Sequence, residues 1–380
     1  MRPRSGSGVI RQQRVGPLPG IVAATSSLPT RLLDLFSVTD TAETDAVLAD
    51  WRAKAQEFET RVARVVLGQN RVIRLVTIAI FARGHVLLEG DVGVGKTTLL
   101  RAVARALGGA FSRIEGTVDL MPSDLLYHTY LADDGRPRVE PGPVLRHAED
   151  LSIFFFNEIN RARPQVHSLL LRLMAERSVT AFDRDYFFPA LQVFADRNLV
   201  EREETFELPA AARDRFLMEI SMRTPSDAAA RRALIFDPRF HDVDRLLDEI
   251  GEPVFDYRAL ASVAELIQNR VHASETLEAY VAKLWDALLD PYAAGVSLPD
   301  VEMRGLVRGG ASPRGLAFLV RAARVRAWLE GRDALTPEDI REIFLETMAH
   351  RIFVDPIYAM RGDDIVRDLC RAAFATVPAP

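Results

Sequence analysis

The spacing of apolar positions changes twice along the chain, and each change marks a different architecture. From Thr41 a helical spacing runs through Ala49, Trp51 and Phe58 to Val65, then breaks at Val66-Leu67-Gly68-Gln69. Short, nearly continuous apolar runs follow: Val86 to Glu89, Phe111 to Glu115, Ser152 to Phe156, Leu191 to Ala195 and Phe216 to Ser221. Strands buried on both faces read this way, and helical or looping segments separate them, so the pattern predicts a mainly parallel sheet between helices. Two insertions interrupt the alternation. Leu126 to Val139 has a turn at Asp134-Gly135 between Tyr127 to Leu131 and Arg138-Val139, and Ser178 to Phe188 turns at Asp183-Arg184-Asp185; both predict β-hairpins. After Thr224-Pro225-Ser226 the sheet pattern stops. The rest reads as helical, with helix starts at Ser312-Pro313 and at Thr336-Pro337 followed by Asp339, each a capping residue ahead of a proline at the first helical position.

These changes divide the chain. A flexible tail is expected over residues 1–40, where Ser5-Gly6-Ser7-Gly8 and Pro17-Leu18-Pro19-Gly20 favour turns. An N-terminal helix over 41–67, an α/β domain over 68–224, a connection over 225–255 and a smaller all-helical domain over 256–380 follow. No internal repeat is visible.

Composition narrows the classes of function. The 380 residues are 48% hydrophobic and 27% charged, with a formal net charge of -5. That balance gives no bulk attraction to nucleic acid and suits a large globular core. Cys370, the single cysteine, excludes an intrachain disulfide and a multi-cysteine zinc site and is expected to pack in the last helix. No apolar run is long enough to span a bilayer and no signal core opens the chain, so a cytoplasmic protein is expected. The seven histidines lack metal-ligand spacing and are read as structural.

The candidate chemistry centres on Gly90-Asp91-Val92-Gly93-Val94-Gly95-Lys96-Thr97, a phosphate-loop pattern set between a short buried strand and a helix. Its glycines let backbone N–H groups curl around phosphate oxygens at a helix N-terminus. Lys96 would reach the terminal phosphates, Thr97 would offer its hydroxyl to Mg2+, and Thr98 with Gly68 and Gln69 would complete the nucleotide contacts. A second signal is Asn157-Glu158, ending an apolar strand where phosphate-loop ATPases usually carry Asp-Glu. Glu158 can polarise an attacking water, whereas Asn157 can accept a hydrogen bond from metal-bound water but gives up a full charge beside the cation, which predicts weaker Mg2+ coordination and slower turnover. Asn198, after the strand Leu191 to Ala195, can orient the water. Arg213 and Arg215 precede the last strand, where a cation can complete a neighbour's site. Arg314, just inside a helix start, can point at the terminal phosphate or form a structural salt bridge.

The chain resembles the MoxR family of AAA+ ATPases. The matching stretches are Gly84 to Gly90 leading into the phosphate loop, Asp119-Leu120-Met121-Pro122-Ser123-Asp124, Pro141-Gly142-Pro143, Asn157 to Ala162, Met174-Ala175-Glu176-Arg177, Leu208-Pro209 through Asp214-Arg215-Phe216, Gly310 to Arg314, and His350-Arg351-Ile352. They occur in one order between about Val65 and Ile352. The resemblance implies an α/β fold, a phosphate-loop AAA+ core with a parallel sheet flanked by helices, followed by an all-helical lid. It implies ATP and Mg2+ as cofactors, Asn198 as first sensor, Arg215 as arginine finger and Arg314 as second sensor. The hairpins would face the pore of a homo-oligomeric ring, usually a hexamer. Family members act as chaperone-like ATPases that mature or activate other proteins, often beside partners with von Willebrand factor A domains. The sequence departs from the pattern at Asn157 and at Asp91-Val92, and the segment before Thr41 has no matching counterpart.

Two other functions remain open at this level. A nucleotide-gated scaffold that binds ATP and assembles with little hydrolysis is motivated by Asn157. A motor acting on nucleic acid fits less well, because the sequence shows no helix-turn-helix, zinc module or basic stripe.

Overall fold

The computed structural model describes residues 41–197 and 206–380. The expected tail over 1–40 lies outside them, as does Asn198. Helix α1, Thr41–Val65, buries Leu48, Trp51, Ala55, Phe58 and Val62. Steps of three and four residues place all five on one face. Phe255 packs on that face, its ring centroid 5.4 Å from Trp51 and 5.7 Å from Phe58. Helix α2, Asn70–Phe81, follows a turn at Gly68, whose φ is 70° and where an added Cβ would meet Pro225 at 2.7 Å. Only glycine suits that turn.

The chain then lays down β1 (His85–Glu89), α3 (Lys96–Leu107), β2 (Ala110–Glu115), the short α4 (Pro122–Leu126) and a hairpin of β3 (Tyr127–Leu131) and β4 (Pro137–Pro141). Next come β5 (Leu151–Asn157), α5 (Pro164–Glu176), a hairpin of β6 (Ser178–Ala181) and β7 (Arg184–Phe187), β8 (Gln192–Arg197), α6 (Ala210–Arg213) and β9 (Phe216–Ser221). The main sheet has the order β2-β5-β8-β1-β9, with every pairing parallel. β1 and β5 are buried throughout, which is why they read as unbroken apolar runs. From β1 the chain crosses two strands to reach β2, and sheets of this kind bind ligands beyond the carboxyl ends of such strands. The stripe Val166, Leu170 and Leu173 is buried in the core with Phe154, Phe156 and Phe188, and Leu169 packs against it.

The second hairpin corrects an expectation. Ala181 pairs with Arg184, so the loop is Phe182-Asp183 and not Asp183-Arg184-Asp185. Both loop residues have positive φ, 53° and 57°, as a two-residue turn matched to strand twist requires. The first hairpin pairs Leu131 with Pro137, and Gly135 takes the left-handed position with φ 72°. Tyr127 and Phe182 join the hairpins, with ring centroids 4.9 Å apart.

Residues 225–255, expected as a connection, contain two helices, α7 (Ala228–Phe236) and α8 (Val243–Asp248), capped by Asp227 and Asp242. α8 is tied to α3 by Arg101–Asp244 at 2.6 Å and Arg105–Asp248 at 3.0 Å. Beyond it lie α9 (Leu260–Arg270), α10 (Glu275–Leu289), α11 (Pro313–Leu329), α12 (Pro337–Met348) and α13 (Gly362–Thr376). A small antiparallel ribbon of β10 (Val307–Gly309) and β11 (Phe353–Val354) interrupts these helices; strands this short leave no period to read. Ser312 accepts the Gly315 N–H at 3.2 Å, and Thr336 with Asp339 forms a capping box, so both helix starts fall where the sequence places them. Trp328 of α11 sits 4.9 Å from the Phe81 ring and donates from its indole to the Leu48 carbonyl at 3.1 Å. Cys370 is buried in α13. Among the described residues, no helix is long and apolar enough to cross a membrane.

Candidate nucleotide site

β1 ends at Glu89, and its carbonyl accepts the Met222 N–H at 2.7 Å. Gly90 passes so close to Met222 that an added Cβ would lie 2.4 Å from the Met222 carbonyl oxygen. Gly93 and Gly95 have φ of 82° and 93°. Together these glycines turn the backbone from the sheet into α3, whose first turn carries no acidic residue, leaving its orphan N–H groups to an anion. Asp91, Val92 and Gly93 are exposed, and Val94 through Thr98 are half-buried. The Lys96 ammonium donates to the Gly90 carbonyl and pairs with Asp196 at 3.0 Å. A loop with this curvature, its lysine already among oxygen ligands, fits a chain of phosphates. Thr97 is the second residue of α3 and half-buried.

The acidic end of the site lies across three strands. Phe156 of β5 pairs with Ala195 of β8, and Leu88 of β1 pairs with Asp196. Asn157 and Asp196, each one residue further on, therefore reach the carboxyl ends of adjacent strands. Asp196 is 1% exposed. One carboxylate oxygen faces Lys96 and the other accepts the Glu158 N–H at 2.5 Å. Burial pushes the Asp196 carboxyl above the usual carboxylate range, against the pull of Lys96 and of that N–H. Glu158 has φ 53°, a left-handed conformation that a non-glycine residue keeps only when its surroundings hold it. Its own carboxylate meets Arg161 at 3.0 Å.

Other predicted residues are distributed as follows. Gln69 is buried and donates to the Arg223 carbonyl at 2.6 Å, which joins Gly68 and Gln69 to the segment supporting Gly90. Gly68 also lines a cleft of about 650 Å3 with Asn70, Arg71, Asp227 and Ala230. Arg215 is half-buried and donates to the Ala211 carbonyl at 2.7 Å; Arg213 lies over the Phe353 ring at 5.1 Å. Arg314 takes the salt-bridge alternative, pairing with Asp214 at 3.2 Å. Asn198 lies beyond the last described residue of β8. Asp196 is the functional candidate that sequence reasoning missed. Its signal was an acid directly after the apolar run Leu191 to Ala195, the same signature that singled out Asn157-Glu158.

Comparison with known proteins agrees with this geometry. Residues 85–218 match the ATPase family associated with various cellular activities (AAA), and residues 304–369 match the AAA lid domain. Protein MoxR of Methylorubrum extorquens is 70% identical over 336 residues, covering 88% of this chain and 98% of that protein. Protein MoxR of Paracoccus denitrificans is 58% identical, covering 88% and 99%. Chaperone MoxR1 of Mycobacterium tuberculosis is 32% identical, covering 80% of this chain and 76% of that protein. A crystal structure from Cytophaga hutchinsonii, assigned as an ATPase, superposes with a TM-score of 0.74 at 29% identity, covering 90% of this chain and 98% of that one. With a phosphate loop entering α3, a parallel sheet of order β2-β5-β8-β1-β9 and a helical lid behind it, the chain belongs to the MoxR family of AAA ATPases.

Proposed function

We propose that this chain binds ATP with Mg2+ at the phosphate loop, hydrolyses it within a homo-oligomeric ring, and uses the cycle to remodel or activate a partner protein. The observation that carries this reading is the link from Lys96 through Asp196 to the Glu158 backbone across the ends of β1, β8 and β5. One buried carboxylate thereby joins the phosphate-loop lysine to the backbone of the candidate base. The cation belongs with the nucleotide, Thr97 and Asn157, as Mg2+ is usually bound through substrate phosphates and few protein ligands. When bound, it withdraws charge from the phosphates. Backbone N–H groups from Asp91 to Thr98 and the Lys96 ammonium hold the phosphates, with Gly68 and Gln69 beside them. Glu158, released from Arg161, takes a proton from the attacking water, and Asn198 orients that water. Arg215 acts in a neighbouring copy's site and Arg314 reaches the phosphates from the lid.

Leu131 and Phe187, in the two hairpins, are 74% and 59% exposed, which suits contact with a protein client across the pore of a ring, a hexamer by family resemblance. A cytoplasmic location and a partner with a von Willebrand factor A domain belong to the same reading. Steady-state hydrolysis by the purified chain tests it: turnover that needs Mg2+ and is abolished in Lys96→Ala and Glu158→Gln is expected. Undiminished turnover in Glu158→Gln removes the assigned base.

The Arg161 hold on Glu158, together with Asn157, favours a second reading: a scaffold that binds ATP and assembles with little hydrolysis. In that case turnover appears only in Asn157→Asp, and binding without turnover marks the parent.

A further inference from the structure

We propose that Asp196 supplies, from β8, the negative charge that Asn157 lacks at the end of β5, and is the positioning acid of this ATP site. The proposal rests on the nucleotide reading above and names how that site keeps its charge balance. A lysine, a nucleotide's phosphates and a divalent cation together need a fixed anion close to the cation, and a buried carboxylate acts there with little screening by water. Asn157, 9% exposed, carries no charge. Its register neighbour does. Ala195 pairs with Phe156 on one side and Asp196 pairs with Leu88 on the other, so Asp196 stands on the strand between Asn157 and the strand that opens into the phosphate loop.

Both carboxylate oxygens of Asp196 are directed at the site's own parts. Oδ2 holds the Lys96 ammonium at 3.0 Å, and Oδ1 holds the Glu158 N–H at 2.5 Å. The second contact fixes the backbone of the candidate base in its left-handed conformation. The first gives Lys96 a partner that phosphate oxygens can replace, and the carboxylate so released would be available to the charge of the cation that accompanies them. Seen this way, Asn157 is a consequence: two carboxylates side by side on adjacent buried strands would repel each other, and one would take up a proton.

The test moves the charge between strands and reads Mg2+-dependent binding. Equilibrium affinity for a fluorescent ATP analogue is measured with Mg2+ and with EDTA for the parent, Asp196→Asn, and the double variant Asn157→Asp/Asp196→Asn, with melting followed for each. Loss of about 10–100-fold of the Mg2+-dependent gain is expected in Asp196→Asn, with recovery to within about twofold of the parent in the double variant. A full Mg2+ gain in Asp196→Asn overturns the proposal, and so does a double variant that folds without recovering it. Should Asp196→Asn fail to fold, the double variant decides alone: the parent's gain supports the proposal, and loss of the gain or of the fold overturns it. A parent that binds no nucleotide under either condition overturns the nucleotide reading itself, a result separate from all of these.

Discussion

Asp214 and Arg314 lie 100 positions apart and meet in an ion pair of 3.2 Å, one residue before the candidate trans-acting Arg215. The same carboxylate accepts the Ser312 hydroxyl at 2.8 Å and faces the Arg351 Nε at 3.2 Å. A single acid thus gathers the start of α11, the end of the α12 segment and the approach to β9. Arg314 is half-exposed in this pair, and an exposed ion pair is worth about 0–1 kcal/mol. Exchange of Asp214 for a nucleotide phosphate is therefore cheap for Arg314, while Ser312 and Arg351 keep Asp214 in place.

The two arginines on Asp214 should respond differently to mutation. Arg351 is 2% exposed; burial pulls its guanidinium down to about 10, with Asp214 opposing that shift. Asp214→Asn leaves this charge without its counter-ion and should cost about 3 kcal/mol in urea unfolding. Arg314→Ala should change stability by less than about 1 kcal/mol while lowering ATP hydrolysis at least about tenfold, given what an arginine contributes at a transferring phosphate. Equal losses of stability in the two variants would show that Arg314 is structural.

Gly90→Ala tests the close approach beneath the phosphate loop. The new Cβ would lie 2.4 Å from the Met222 carbonyl oxygen, a backbone atom that cannot swing away as a side chain can. Either the loop or the Met222 segment must move, so nucleotide affinity should fall by about 5- to 150-fold, as overpacking of about 1–3 kcal/mol implies. Gly135→Ala in the first hairpin meets no atom within 4 Å and should leave binding unchanged. Equal affinities for Gly90→Ala and the parent would count against the loop as the phosphate site.

What the sequence reveals and what it hides follows from how far apart the determining residues lie. The phosphate loop, the run of strands and the caps at Ser312 and Thr336 are local patterns, and the structure reproduces them, except that β2, expected to be buried, lies at the sheet edge with only Ser112 buried. Phe182 does not read as a turn residue, since an aromatic at positive φ is unfavourable in itself; the register of Ser178 with Phe187 imposes it. The acid after the run Leu191 to Ala195 is a local signal for Asp196, but its partners are not: they depend on the pairing of β5 with β8 and on Lys96, 100 positions earlier in the chain. The motif His350-Arg351-Ile352 was visible as a resemblance without a physical reason. The reason is the Arg351 guanidinium, which donates to the carbonyls of Thr347 and Phe216 and closes on Asp214.

Asp339 ties part of the helical region's stability to pH. It is fully buried and accepts from Arg326, from Arg332 at 2.6 Å and from the Thr336 N–H at 2.9 Å. Burial alone would raise its carboxyl; these donors outweigh burial and hold it below the ordinary carboxylate value of 3.8. A depressed carboxyl contributes stability that is present above pH 3.8 and lost as pH falls through the folded-state value. Asp339→Asn should therefore lower stability at pH 7 by about 2–3 kcal/mol and flatten the loss below pH 4. Circular dichroism melts of the two proteins across that range would decide, and identical acid limbs would refute the assignment.

His85 sets a second pH dependence in a different window. Its Nδ1 accepts the Val193 N–H at 2.9 Å, so the remaining proton sits on Nε2 and is donated to the Met174 carbonyl at 3.0 Å. A second proton would set N–H against N–H inside the core. Burial pushes the ring down to about 3; the charges of Arg177, Arg83 and Arg321 act in the same direction, and the Met174 carbonyl opposes them. In the unfolded chain the ring takes up a proton below pH 6.5, so the folded state loses stability as pH falls from 6.5 toward about 3, and nothing is lost above that window. The slope should approach about 1.4 kcal/mol per pH unit. His350 is also buried and depressed, so the parent alone cannot isolate His85. The difference between the parent and His85→Gln in urea unfolding at pH 7, 6 and 5 does: the variant should be less stable at pH 7, and the gap should narrow with each step down. Parallel curves would mean that His85 is protonated in the core and that its tautomer is not fixed by Val193.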